Sequence, residues 1–264
     1  MNFTALIDSM RQDGDSLICD VPENWKQGRT VYGGTTAGLC LATARKLTGE
    51  TRALRSAMIS FVGPSTGQLR LTAEPIRAGR TTSTVRAKLT SNGAPATEVI
   101  FAFADQREDS QISIPAAGWP EGTRPPTSSE AQTIPAGMGP KFTQNFEYCY
   151  GFGALPYSGS DTADMGLWIR HIAPEARVGE LSLMCIADAM PPALVTRMKG
   201  PAPLSSMSWQ ANFLTDAPTT DDGWWLLRAR AHNLAGGFSS QEMTIWNTAG
   251  DCVVSGFQLV TVFA

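Results

Sequence analysis

Hydrophobic and polar positions along this chain change period several times, and they do so in the same order twice. Residues 16–21 alternate modestly and predict a strand. A loop with Gly28, Gly33 and Gly34 follows. Residues 35–47 then carry apolar side chains at helical spacing: Ala37, Leu41 and Ala44, flanked by Leu39 and Ala42. Thr35 or Thr36 can cap the start of this long helix, and Gly49 follows its end. Strand-like runs come next at 54–62, 68–78, 81–91 and 97–105, broken by a Gly/Pro/Ser loop, by Ala78-Gly79-Arg80 and by Asn92-Gly93. Asn-Gly between alternating runs is a strong hairpin signal.

From 107 to 140 periodicity is lost. Pro115, Pro120, Pro125, Pro126, Pro135 and Pro140 appear among Ser, Thr, Gly and Glu, which predicts a linker. The earlier order then resumes. Strands are expected at 142–150 and 165–172, and a second long helix at 180–198, disturbed by Pro191-Pro192. Four more strands are expected at 204–214, 223–233, 237–247 and 252–263. Ala249-Gly250 echoes Asn92-Gly93, and Ala211-Asn212-Phe213-Leu214 echoes Ile59-Ser60-Phe61-Val62, at an offset of about 152 to 158 residues. The expected fold is α+β: two tandem units, 1–107 and 141–264, each with a long helix against an antiparallel sheet, joined by a linker at 108–140.

Composition narrows the classes. A chain of 264 residues with 42% hydrophobic content can bury one large core or two. Net charge is -3 and basic residues are scattered, so neither a nucleic acid nor an anionic membrane is an expected partner. No apolar run reaches the ~20 residues of a membrane span, and the first residues lack a basic signal-peptide region. A cytoplasmic protein is expected. The five cysteines form no C-x-x-C and predict reduced, buried thiols. No metal-ligand spacing is present, and no cofactor is called for.

One acid stands out. Asp188 lies among Leu183, Met184, Cys185, Ile186, Ala187, Ala189 and Met190. It is either a solvated helix residue or a buried group, and burying it is costly unless an Arg pairs with it or the site uses it as a base. Gln258 is the one amide on a strand face with Val254, Gly256, Val260 and Val262, so it needs a hydrogen-bond partner. It could also hold a water beside Asp188. Gly33 and Gly34 either make the tight turn into the first helix or present N–H groups to a developing oxyanion. In the first unit Phe101 takes the place equivalent to Gln258, and Thr36 lies near that of Asp188. Gly63-Pro64-Ser65-Thr66-Gly67 matches a nucleophile-elbow pattern, but a strand follows where a helix is required. The two Trp at 224 and 225 are expected to pack on opposite faces of a strand.

Val31-Tyr32-Gly33-Gly34, Ser60-Phe61, Arg77-Ala78-Gly79-Arg80 and the final strand with Gln258 together resemble the acyl-CoA thioesterase II family. The resemblance covers both units and excludes the linker. It implies a double-hotdog fold, an acyl-CoA substrate, and a catalytic Asp, Thr or Ser, and Gln that orient a water against the thioester carbonyl. Carried over, these are Asp188, Ser206 and Gln258. Ser206 stands where the family has Thr, and Ala189-Met190-Pro191-Pro192 follows the acid. Strand alternation alone puts Ser206 with Ser208, Gln210 and Asn212, opposite the core, unless a bulge intervenes; Ser205 and Ser208 compete for its role. A non-catalytic acyl-CoA or acyl-chain binding protein is the alternative. A hotdog hydratase is disfavoured, since His171 and His232, the two histidines, lie near no acidic motif. Apolar residues on both faces of the last strand, Phe257 and Leu259 against Val260 and Val262, lead to the expectation of a homo-oligomer.

Overall fold

The computed structural model describes residues 1–107 and 109–263. Glu108, where the expected linker begins, and Ala264 lie outside the described residues. In chain order the elements are α1 (Phe3–Asp8), β1 (Arg11–Asp13), β2 (Ser16–Asp20), β3 (Lys26–Gln27), β4 (Thr30–Val31) and α2 (Gly33–Thr48). Then come β5 (Leu54–Phe61), β6 (Gln68–Ala78), β7 (Thr82–Ser91) and β8 (Ala94–Ala104). After a long connector follow β9 (Phe146–Gly153), β10 (Asp164–His171), α3 (Gly179–Ile186), β11 (Leu204–Phe213), β12 (Trp225–Ala235), β13 (Phe238–Trp246) and β14 (Cys252–Val262). The protein is mostly sheet.

Twelve strands form one sheet in the order β1-β2-β6-β7-β8-β5-β11-β14-β13-β12-β10-β9. Read from its two ends inward, the sheet shows the same connectivity twice. The halves meet where β5 pairs with β11, antiparallel, with Met58 opposite Gln210. Ser60 faces Ser208 and Ser56 faces Asn212, so the register is symmetric about that pair, as a local two-fold axis requires. The duplication seen in the sequence is therefore also a geometric one. The hairpin expected at Asn92-Gly93 joins β7 to β8, and both residues have positive φ, 51° and 81°.

Helix α2 is buried from Gly34 to Ala44 and packs on β6, β7 and β8, so the sheet wraps it. It begins at Gly33, two residues before the expected start. Its N-cap is Tyr32, with no side-chain cap bond, rather than a threonine. The two glycines belong to the helix because its first turn presses on another backbone: a methyl on Gly34 would lie 2.2 Å from the Cys185 carbonyl oxygen. The Tyr32 hydroxyl donates to that same carbonyl at 2.8 Å. At the far end Arg45 forks onto Glu180, at 2.6 and 2.8 Å. Helices α2 and α3 thus run antiparallel in close contact.

The second long helix expected at 180–198 is not there. Helix α3 has eight residues and stops at Ile186. The chain then tightens, with the Ala189 N–H donating to the Ile186 carbonyl at 2.8 Å, and resumes only as a short 3-10 turn at Ala193–Arg197. Pro191 and Pro192 supply no N–H to continue the ladder, and each disfavours helical backbone in the residue before it. Asp188 consequently sits just past a short helix, not within a long one.

The connector at 109–140 runs along both faces of the second half. Trp119 packs edge-on against Trp168 at 5.6 Å, in an outer cluster with Trp224, Leu226 and Trp246. Trp225 points the other way, into the main core, as strand alternation predicts for the Trp pair. All five cysteines are free, and Cys19, Cys40 and Cys185 are buried. No described helix is long and apolar enough to cross a membrane. Because the contact of α2 with α3 needs bare backbone at Gly34, Gly34→Ala is expected to destabilise the fold by about 3 kcal/mol. Urea unfolding checks this, with Gly118→Ala, where an added methyl meets nothing within 4 Å, as the comparison.

Candidate active site

Ser206 reaches the inner face through a β-bulge. Along β11, Trp209, Ala211 and Phe213 point inward and are buried, so strict alternation would turn Ser206 outward. The register shifts instead: Ser208 is opposite Leu259, yet Ser206 is opposite Val260, with Met207 as the extra residue. Met207 is left half-exposed on the outside. The first half has the same bulge, with Ser56 opposite Ala102 and Leu54 opposite Phe103. The bulge thus occurs in both units, and in the second it turns a serine inward.

Three side chains meet on that inner face. The Gln258 Nε2 donates to Asp188 Oδ1 at 2.8 Å and to Ser206 Oγ at 2.9 Å. One amide nitrogen therefore ties the acid to the hydroxyl, and it is Ser206, not Ser205 or Ser208, that shares it. The opposite end of the same amide, Oε1, accepts from Gln241 Nε2 at 2.7 Å. Gln241 went unnoticed in the sequence, though the signal was present: it alternates with Ser239, Met243 and Ile245, an amide on the buried face of its strand. Register also confirms Phe101 as the counterpart of Gln258, since Ala57 faces Phe101 as Trp209 faces Gln258.

Asp188 makes no ion pair among the described residues, which rules out a partner arginine. Burial pushes its carboxyl up to about 7, against the pull of the Gln258 amide and the Gly34 N–H, both of which favour the charged form. Gly33 is equally close: a methyl there would lie 2.6 Å from Asp188 Oδ2. The start of α2 from the first half thus closes over an acid from the second. Tyr32, stacked face to face on Phe142 at 3.9 Å, seals the side.

Asp188 and Ser206 open onto a cavity of about 1340 Å³. Its walls include Tyr148 and Leu167 and, from the connector, Ile134, Met138 and Pro140. Gln258, Gly33 and Gly34 stand behind this surface. The connector holds its place by pairing with the sheet, since Gln132 and Tyr148 exchange backbone hydrogen bonds at 2.9 and 2.7 Å. Nothing in its Pro-rich composition announced a cavity wall. Neither histidine lines the cavity. His171 is buried beside Phe3 and Phe146, and burial lowers its pKa to about 4; His232 is on the surface near Glu242.

The sequence matches the acyl-CoA thioesterase N-terminal domain over residues 21–104 and the acyl-CoA thioesterase C-terminal domain over residues 115–262. The chain belongs to this acyl-CoA thioesterase family. Solved structures agree on the fold. The chain is similar to a conserved protein of unknown function with hot dog fold from Alicyclobacillus acidocaldarius (TM-score 0.86, 20% identity, 99% of this chain and 98% of that one). It is similar to the tesB protein of Mycobacterium avium subs paratuberculosis (TM-score 0.76, 17% identity, 99% and 98%). It is also similar to the acyl-CoA thioesterase II TesB2 of Mycobacterium marinum (TM-score 0.68, 16% identity, 97% and 96%). No curated protein matches the sequence.

In this thioesterase-family chain the raised pKa of Asp188 has a consequence for stability. The folded state holds the proton more tightly than the free acid does, so Asp188 costs stability once it ionises. That cost grows as pH rises from about 4 through 7. Asp188→Asn is expected to be more stable than the wild type by about 2–4 kcal/mol near pH 8, with the difference shrinking through about pH 5 and closing near pH 4. Urea titrations at the two pH values measure it.

Proposed function

We propose that this protein hydrolyses acyl-CoA thioesters to the free acid and CoA, with Asp188, Ser206 and Gln258 as its catalytic residues. The observation that carries the reading is the shared Gln258 nitrogen. It holds a carboxylate and a hydroxyl close enough for one water to sit between them, at the wall of a largely apolar cavity. A double-hotdog architecture, with units 1–107 and 141–264 and the 108–140 connector, goes with this proposal.

The chemistry runs as direct attack of water. Asp188 in its ionised form takes a proton from the water as its oxygen bonds to the thioester carbon. Gln258 donates to the Ser206 oxygen, so the hydroxyl proton of Ser206 is free to point at the water or the carbonyl. The positive end of α2, at Gly33 and Gly34 behind the acid, favours the negative charge that develops on the carbonyl oxygen. Protonation of Asp188 weakens its hold on the Gly34 N–H as the oxyanion forms. Collapse breaks the carbon–sulfur bond, and the proton passes from Asp188 to the CoA thiolate. No acyl-enzyme forms.

The cavity, with its apolar connector wall, accepts the acyl chain. Self-association through the outer sheet face is part of the same proposal: Met58 and Phe257, both more than half exposed, flank the outward-facing Gln210 in adjoining strands. Thiol release from a panel of acyl-CoA esters tests the activity. Asp188→Asn is expected to lower kcat/KM by about 10²–10⁴-fold, and the wild-type rate to fall as pH drops below about 7. Saturable binding without thiol release would instead identify an acyl-binding protein.

A further inference from the structure

Gln241 on β13 stands directly across from Gln258 on β14, and both are buried. The two ends of a carboxamide have nearly the same shape, so packing alone does not decide which end points where. In Gln258 it matters: the nitrogen must face Asp188 and Ser206, because the reversed amide would set an oxygen against a carboxylate. The decision is made at the other end. Gln241 presents its nitrogen there, at 2.7 Å, and a nitrogen can meet only an acceptor. Gln241 is itself held by the Ala193 N–H, which donates to its Oε1 at 2.8 Å. A backbone N–H cannot reverse. The line Ala193, Gln241, Gln258 therefore has one direction. In the first half the same cross-strand positions hold Val85 and Phe101, both buried, and Leu54 holds the place of Ser206. The amide pair occurs only in the half that has the acid.

We propose that Gln241 is a positioning residue: it carries the fixed polarity of the Ala193 N–H to Gln258, so that both amide protons of Gln258 point at Asp188 and Ser206. Its effect on turnover rests on the thioesterase reading; its effect on Asp188 does not. The titratable groups packed around Asp188 are Tyr32 before α2, Cys185 on α3 and Tyr148 on β9, and burial raises all three, leaving them neutral at neutral pH. Strands β11 and β14 bring Ser206 and Gln258. With burial setting the raised pKa of Asp188, the side chain that opposes it is Gln258, so the acid–base state responds to whether Gln258 donates to it.

Gln241→Met keeps the length and removes the polarity. It is expected to lower kcat about tenfold with KM little changed, and to move the acidic limb of the rate profile to higher pH. In a Gln258→Met background the same substitution is expected to add nothing, whereas a residue that merely packs the core would cost the same in both. Ala193→Pro is the second variant, and it decides the matter if Gln241→Met does not fold. It deletes the N–H while leaving both glutamines, and Pro192, at ψ 141°, is already extended as a residue before proline must be. In protein labelled with ¹³C at aspartate, the Asp188 carboxyl, assigned by its loss in Asp188→Asn, is expected to titrate at higher pH in either variant. If the wild type releases no thiol, the thioesterase reading fails and this titration still tests Gln241. An unmoved titration and rate profile, or equal costs with and without Gln258, would overturn the proposal.

Discussion

A carboxyl group largely withdrawn from water without a cation must be stabilised by hydrogen-bond donors, and the surroundings of Asp188 are arranged to supply them. Gln258 donates from the second half of the sheet, and the Gly34 N–H approaches from the first turn of the first half's helix. The helix can come that near only because Gly33 and Gly34 leave no side chain between its backbone and the α3 end. The donors are neutral, so they lower the cost of the charge without cancelling it, and the acid stays poised near neutrality. A lysine or arginine in their place would hold the group ionised and make it a weaker base.

This dependence on both halves accounts for the asymmetry between two units of common plan. The bulge, the strand order and the register recur, whereas the residues at equivalent inner positions have diverged. Leu54, Val85 and Phe101 in one unit match Ser206, Gln241 and Gln258 in the other. One copy keeps an apolar surface and packs; the other carries a connected set of polar groups, each with a partner. Such a network is stable in a core only if every member is satisfied, and here it ends on a backbone N–H.

The connector does more than cover distance. Trp119 and the Trp246 bond to the Ala117 carbonyl, at 2.8 Å, anchor its first part on the outer face. Its last part pairs with β9 and forms the apolar wall opposite Asp188 and Ser206. A segment without internal periodicity can be held this firmly because aromatic burial and a few backbone hydrogen bonds replace the ladder that its prolines forbid.

Much of this was legible in the order of residues. Alternation and turn chemistry placed most of the strands, and the offset between equivalent turns exposed the duplication, because strand period and Gly-containing turns are local properties. Asp188 and Gln258 were conspicuous as polar groups in apolar company. Other features had no local signature. The length of the second helix depended on how the prolines after Asp188 compete with apolar spacing, and spacing alone read through them. The direction of Ser206 depended on a bulge that exists only as a relation between two strands. The cavity wall came from a stretch whose partners lie in other elements. Composition and period fixed which residues could form the elements and which polar groups would need partners. Only the tertiary structure decided which partners they received, since that choice rests on distances between strands and helices far apart in the chain.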